Sequence, residues 1–123
     1  MAEELNKQKT FLTWEESATV LQTDARQGMA RAQRLLATRY LRGRGVPQDE
    51  VTAFYWMQLA AQQNYATAQR SLGELYESGL GIMLDISIAS HWYGLAALQG
   101  DAIATKHLQR LALSNSAQPN TLY

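Results

Sequence analysis

Apolar residues recur at helical spacing along the chain and are interrupted at two glycine-rich stretches. In each of two equivalent sets, the apolar residues lie four positions apart on one stripe of a helix, which we call helix A. The sets are Ala32, Leu36 and Tyr40, then Ala68, Leu72 and Tyr76. The stretches GRGVPQD from Gly43 and GLGIMLD from Gly79 follow them. They predict helix ends, because glycine adopts the left-handed C-terminal cap conformation without steric strain.

A second helix, helix B, is predicted after each glycine-rich stretch. Asp49 and Asp85 suit its N-cap, since a carboxylate accepts the free backbone N–H groups of the first turn. We expect one large, buried tryptophan among small alanines on its inner face, and Asn64 and Gly100 at its end. The face comprises Ala53, Trp56 and Ala60 in the first copy and Ala89, Trp92 and Ala96 in the second.

The whole pattern returns after 36 residues, which is the sign of a helical repeat protein. Both helices and the turn between them share this spacing. Matching pairs include Gly43 and Gly79, Gly45 and Gly81, Asp49 and Asp85, Trp56 and Trp92, and Ala60 and Ala96. The sequence therefore predicts an all-α chain of helical hairpins.

The repeated unit resembles the Sel1-like repeat, a relative of the tetratricopeptide repeat. The first copy carries Ala32-x3-Leu36-Ala37-x2-Tyr40-x2-Gly43-x-Gly45-Val46-x2-Asp49-x3-Ala53-x2-Trp56-x3-Ala60-Ala61. Ala37 departs from the family glycine, which the second copy has at Gly73. The resemblance implies a short right-handed α-solenoid of antiparallel helix hairpins, whose A helices line a concave surface that holds other proteins.

We predict one repeat domain over residues 13–113. Thr13 and Glu16 form a capping box that opens a cap helix over 13–27, in the place of a B helix. Repeats follow over 29–64 and 65–100, with a final A helix over 101–113. Residues 1–12 are expected to be flexible and 114–123 to form a disordered tail.

The final A helix has no following B helix in the predicted pattern, although a solenoid normally covers this flank. Either the tail folds back over it or another chain covers it. A homodimer through this uncovered C-terminal helix is one alternative.

The composition narrows the function classes. The 123 residues include no cysteine, which excludes disulfides and thiolate chemistry. Eleven basic and eleven acidic side chains balance, so neither nucleic acid nor membrane is an expected partner. There is no apolar span or leader, which predicts a cytoplasmic protein, or a periplasmic one if a signal peptide has been removed.

The sequence offers few groups for catalysis. His91 and His107 are interpreted as partly exposed helix residues, with no His, Cys or carboxylate at ligand spacing beside either. The glycine pairs follow helices rather than strands, so they are turns and not phosphate loops. No serine lies in a sequence motif typical of a catalytic nucleophile. We therefore expect a non-enzyme without metal or cofactor.

Charge is the distinctive feature of the chain. Six arginines and no acidic residue lie between Ala25 and Gln48. The spacing of groove-lining positions in tetratricopeptide-like repeats, carried over by resemblance, places several charges in the concave surface. These positions are Arg31, Arg34, Thr38, Leu41 and Arg42, then Thr67, Arg70, Glu74, Glu77 and Ser78, then Ile103, Lys106 and Arg110.

Because arginine binds carboxylates bidentately, the predicted partner is another protein that presents an acidic segment or its C-terminal carboxylate. The leading prediction is thus a non-catalytic interaction module, an adaptor or scaffold of bacterial type. The alternatives are a dedicated inhibitor or immunity protein that neutralises a toxin, and, more remotely, a hydrolase built on this repeat. The arginines could instead only solvate a helix face and pair with neighbouring acids. Phe54 and Met57 of the first helix B are expected to be buried. The alternative is that they are exposed and form a convex docking patch.

Overall fold

The computed structural model describes residues 12–117, which form six α-helices and no strands within that range. In chain order the helices are α1 (Trp14–Arg26), α2 (Ala30–Arg42), α3 (Glu50–Gln62), α4 (Ala66–Ser78), α5 (Ile86–Leu98) and α6 (Ala102–Ala117). The structure thus confirms the all-α helical repeat. The predicted flexible segment 1–12 lies outside the described residues except for its last residue.

The helix starts follow the capping residues that the sequence predicts. The Thr13 hydroxyl accepts from the Glu16 N–H at 3.1 Å, and the Glu16 carboxylate accepts from the Thr13 N–H at 2.9 Å. Asp49 accepts from Thr52 N–H at 3.1 Å at the start of α3, and Asp85 accepts from Ile88 N–H at 3.0 Å at the start of α5. These bonds satisfy N–H groups that a helix leaves free in its first turn.

The A helices end at the predicted glycines. Gly43 and Gly79 are left-handed, with φ values of 68° and 70°, and their N–H groups bond to Arg39 O and Leu75 O. This conformation is why a side chain is unfavourable at these positions. Each turn reverses the chain, so that a B helix packs beside its own A helix.

Each helix packs against the next in the chain, and the A helices α2 and α4 also contact each other. The result is a short right-handed solenoid, with the A helices in one layer and the B helices in the other. Alanines dominate the core and allow close helix approach. The largest fully buried side chains are Leu36, Met57, Leu72 and Tyr93.

The tryptophans differ from the sequence prediction. Trp56 and Trp92 are only half-buried, whereas the next residues, Met57 and Tyr93, are buried at 2% and 0% exposure. Neighbouring residues on a helix point about 100° apart. Trp56 and Trp92 pack against clusters that their own A helix forms with the helix before it, whereas Met57 and Tyr93 are members of the next cluster along the chain in each case.

The surface of α3 does not match the predicted alternative of a convex docking patch. Met57 is buried, and Phe54 is half-buried with its ring edge-to-face on Tyr76 at 5.4 Å. The exposed apolar residues of this helix are Val51 and Tyr55, at 68% and 55%. A convex docking patch centred on Phe54 and Met57 is therefore not formed.

The final helix is longer than predicted. It runs to Ala117, so residues 114–117 of the predicted disordered tail are helical. No glycine stands where Gly43 and Gly79 end the earlier A helices, because Asn115 occupies that position. The rest of the predicted tail, 118–123, lies outside the described residues.

Buried glutamines link successive units. The Gln33 amide donates to Ala25 O of α1 at 3.1 Å, and its carbonyl oxygen accepts from the Gln63 amide at 2.8 Å. The same arrangement recurs one unit later, where Gln69 donates to Ala61 O at 3.4 Å and accepts from Gln99 at 2.9 Å. In each bridge the glutamine is a second donor to a carbonyl near the end of the preceding helix, which also accepts from the N–H of Gly28 or Asn64.

Candidate protein-binding cleft

A cleft of about 350 Å³ lies between the A helices α2 and α4. It brings together six of the predicted groove residues from two repeats. They are Arg34, Thr38, Leu41, Arg42, Glu74 and Ser78. Ser71 and the apolar side chains of Met57, Leu75 and Leu80 complete the lining. The repeat spacing thus locates a cleft with apolar, cationic and hydroxyl groups side by side.

Arg34 is the least satisfied polar residue of the cleft. Its Nε atom is buried and has no hydrogen-bond partner within the described part of the chain. Its guanidinium carbon lies 5.9 Å from the centre of the Tyr65 ring. A buried donor without an acceptor is costly, so a carboxylate that reaches Arg34 removes an existing penalty. Arg42, on the same wall, is exposed.

Two other arginines of the basic stretch hold α1 in place. Arg39 donates to the Ser17 hydroxyl at 2.7 Å and to Trp14 O at 3.3 Å. The Trp14 ring also lies 4.7 Å from the guanidinium carbon of Arg39 and 5.1 Å from that of Arg44. These are cation–π contacts, which stabilise the packing of a helix on its neighbour. Of the six arginines, Arg39 and Arg44 thus make structural contacts and Arg34 and Arg42 line the cleft. The other two, Arg26 and Arg31, are exposed and lie outside the cleft lining.

A polar network joins α4 to α6 beside the cleft. Arg70 donates to both carboxylate oxygens of Asp101 at 3.2 Å and lies 3.8 Å from Glu74. Arg110 donates two hydrogen bonds to Glu77, at 2.7 and 2.8 Å. Two of the predicted groove cations, Arg70 and Arg110, are thus engaged by carboxylates of the same chain.

His107 and Tyr93 complete this network. The His107 ring stacks on Tyr93 with centroids 4.7 Å apart, and its Nε2 lies 3.0 Å from Glu74. A carboxylate does therefore stand beside His107, which the sequence analysis did not foresee because the residues are distant in sequence. Tyr93 donates to Glu77 at 2.7 Å, and its burial raises the pKa of its hydroxyl above the usual value. His91 is exposed, as predicted.

The remaining predicted residues do not line the cleft. Arg31 and Lys106 are exposed, and Thr67 is half-buried. Ser71, which lines the cleft, and Asp101, which binds Arg70, are not among the residues predicted from the sequence. The sequence does contain one sign of the role of Asp101. Met29 and Tyr65 precede the earlier A helices, whereas the equivalent position before α6 is an aspartate. Asp101 also caps α6 by accepting from Ala104 N–H at 2.8 Å. Residues 12–117 contain no group of three or more side chains placed to hold a metal ion.

The network makes a prediction for acid stability. The Arg110 guanidinium holds the pKa of the Glu77 carboxyl below its ordinary value of 4.5, against a smaller opposing effect of burial. A lowered folded-state pKa contributes stability above the ordinary pKa, and this contribution is lost as pH falls through the folded value. We expect the stability difference between wild type and Glu77→Gln to be largest at neutral pH and to shrink as pH falls to about 3.

Urea unfolding at a series of pH values measures that difference. Glu15→Gln, at an exposed position of α1, is the matched control and should show a smaller change with pH. A difference between wild type and Glu77→Gln that stayed constant down to pH ~3 would show that the Glu77 charge adds nothing to stability.

The fold is that of a helical repeat protein, with a cleft of mixed polar and apolar lining between two of its A helices. The Sel1 repeat family profile matches residues 30–65 and 66–101. The chain belongs to the Sel1 repeat family. These repeats are generally protein-protein interaction modules and typically non-catalytic scaffolds.

Two solved structures support this assignment. The chain is 42% identical to a Sel1 repeat protein from Oxalobacter formigenes, with a TM-score of 0.71 over 73% of this chain and 68% of that protein. It is 31% identical to a protective antigen of uropathogenic Escherichia coli strains that displays an SLR fold, with a TM-score of 0.77. That match covers 78% of this chain but only 21% of the antigen. A search of curated proteins finds no match. None of the described helices is long and apolar enough to cross a membrane.

Proposed function

We propose that this protein is an adaptor or scaffold that holds a carboxylate-bearing segment of a partner protein in the cleft between α2 and α4. The observation that carries the proposal is Arg34, which lines the cleft beside the exposed Arg42 and whose buried Nε has no hydrogen-bond partner among the described residues. An acidic side chain or a chain terminus supplies the acceptor that Arg34 lacks.

The other walls favour an extended peptide over an isolated anion. Leu41, Leu75 and Leu80 offer apolar contact along the cleft, and Ser71 and Ser78 offer hydroxyl groups to a peptide backbone. Glu74 lies opposite the arginines and selects against a segment with acidic residues along its whole length. The partner segment therefore carries one or two carboxylates and apolar residues between them.

The proposal predicts which arginines matter for binding. Arg42→Glu and Arg34→Gln should each weaken capture of the partner by roughly 10- to 100-fold, because each removes a charged hydrogen bond. The measurement is affinity capture from nuclease-treated lysate of the source cells, with mass spectrometry of the retained proteins. Titration of the identified partner then gives the affinities.

Arg26→Glu is the matched control, since it reverses an exposed arginine that is not among the residues lining the cleft. Equal loss with Arg26→Glu and Arg42→Glu would mean that only net charge matters. Retention of the same partner by Arg34→Gln and Arg42→Glu would exclude the cleft. Arg70→Glu is unsuitable as a test, because Arg70 pairs with the half-buried Asp101 and its reversal places two carboxylates together.

The same experiment separates the adaptor from the dedicated inhibitor. An inhibitor retains one enzyme and abolishes its activity at a one-to-one ratio, whereas an adaptor leaves its partner's activity in place. We favour the adaptor, since Sel1 repeats are generally interaction modules.

A further inference from the structure

An apolar groove of about 540 Å³ lies at the opposite end of the solenoid from α1, between α5 and α6. Its lining consists of Ser90, His91, Gly94, Leu95, Ala97 and Leu98 of α5 and Leu108 of α6. It is separate from the cleft between α2 and α4 and shares no lining residue with it. The groove is mostly apolar and is formed by two helices. A third helix can pack against a groove of this kind.

The earlier units show what such a groove receives. Trp56 packs against the cluster formed by Ala25, Ala32 and Leu36. Trp92, 36 residues later, packs against the cluster that contains Ala61, Ala68 and Leu72. Each ring comes from the B helix that follows the cluster. At each of these two junctions, one large ring packs against a cluster that contains two alanines and a leucine at equivalent repeat positions.

A third such set of two alanines and a leucine is present, but without a tryptophan. Ala97, Ala104 and Leu108 stand at the equivalent positions, and two of them, Ala97 and Leu108, line the groove. No tryptophan of the described residues packs there. We propose that this groove, the end socket, docks an amphipathic helix of a partner, which places an aromatic ring against Ala97, Ala104 and Leu108.

The surface of α5 supports this assignment independently. At the two positions where α3 carries Gln58 and Gln62, α5 carries Gly94 and Leu98. Leu98 is 87% exposed, and a Cβ added at Gly94 would meet no atom within 4 Å. A glycine inside a helix costs about 1 kcal/mol relative to alanine, so open space above it has no packing benefit in the described structure. Both changes instead make the socket apolar and allow closer approach of a helix.

The neighbouring wall restricts the partner further. In the first two units, Ala37 and Gly73 on helix A leave room for Met57 and Tyr93, which follow the tryptophans. On α6 this position is Gln109, which is exposed. The residue that follows the ring in the partner helix is therefore small, because Gln109 occupies the space of a large one.

The test uses a helix of known register as the probe. It is a lactam-stapled peptide of residues 85–99 of this chain, which carries Trp92, with Tyr93 replaced by alanine to suit Gln109. We expect saturable binding of the labelled peptide to the 123-residue protein, measured by fluorescence polarisation. A peptide in which Trp92 is also replaced by alanine should bind at least 10-fold more weakly.

Substitutions in the socket restore the residues of the first unit. Gly94→Gln and Leu98→Gln should each weaken peptide binding at least 10-fold while leaving the thermal midpoint unchanged or higher, since neither side chain is needed for internal packing. Met83→Gln is the control, because Met83 is 85% exposed and lies outside the socket. Arg42→Glu should bind the peptide like wild type, which separates this site from the proposed cleft.

Three results would overturn the proposal. The first is absence of binding up to ~1 mM peptide. The second is binding that Leu98→Gln and Gly94→Gln leave unchanged. The third is a wild-type dimer in sedimentation that Leu98→Gln dissociates although the peptide does not bind, which would make a second copy of the chain the occupant.

Discussion

Replacement of Gly81 by alanine is expected to lower the free energy of unfolding by about 3 to 5 kcal/mol. Gly81 has a φ of +75°, which is strained for any residue with a Cβ. A Cβ at this position would also lie 2.1 Å from the carbonyl oxygen of Glu50, at the start of α3. That oxygen belongs to the backbone of the preceding unit and cannot rotate away. The substitution therefore separates two units as well as straining one turn.

Gly100→Ala is the control that separates these two effects. Gly100 is also left-handed, with a φ of +94°, but an added Cβ would meet nothing within 4 Å. Its replacement should cost only the conformational strain, about 1 to 2 kcal/mol. Urea denaturation of both variants measures the difference. Equal losses would show that the turn of the second unit does not rest on α3.

Replacement of Tyr93 by alanine is the second large change, with an expected loss of about 3 to 5 kcal/mol. The ring is fully buried and lies over Gly73, where an added Cβ would be 2.6 Å from a ring carbon. Removal of the ring leaves a cavity between α4 and α5, because two helices that pack around a large ring do not move together enough to fill its space. The free energy of unfolding from urea denaturation is the quantity to compare.

Two further variants define the source of that loss. Tyr93→Phe keeps the ring and removes only the hydrogen bond to Glu77, so it should cost about 1 to 2 kcal/mol. Trp92→Ala should cost less than Tyr93→Ala, since Trp92 is half-buried. A larger effect at Trp92 than at Tyr93 would contradict the packing described here.

The sequence was sufficient for the architecture because its signals are local. Gly43 and Asp49 mark a helix end and a helix start through their own backbone chemistry, and the 36-residue period repeats both. The choice between Trp92 and Tyr93 as the core residue was not local. Both are large and adjacent, and only the packing of α5 on α4 decides which one faces Gly73.

The same limit applies to the charged residues. Arg34, Arg70 and Lys106 are evenly spaced in the sequence and were predicted as equivalent groove residues. In the structure, Arg34 lines the cleft, Arg70 pairs with Asp101, and Lys106 is exposed. The aspartate before α6, Asp101, departs from the repeat. Because it pairs with Arg70, Arg70 does not line the cleft as Arg34 does. Periodicity predicts positions, but it does not predict which neighbour a charge binds.

The glutamine bridges determine how the domain loses its structure. Because Gln33 and Gln69 each bond to the preceding unit and to the end of their own unit, opening one hairpin breaks hydrogen bonds in the next. Such coupling makes the first two units unfold together rather than one after the other. The third position in this series is Thr105, whose hydroxyl bonds within its own turn to Asp101 O. The glutamine series therefore ends at α5, and α6 is joined to the domain by different contacts, the ion pairs of Arg70 with Asp101 and of Arg110 with Glu77.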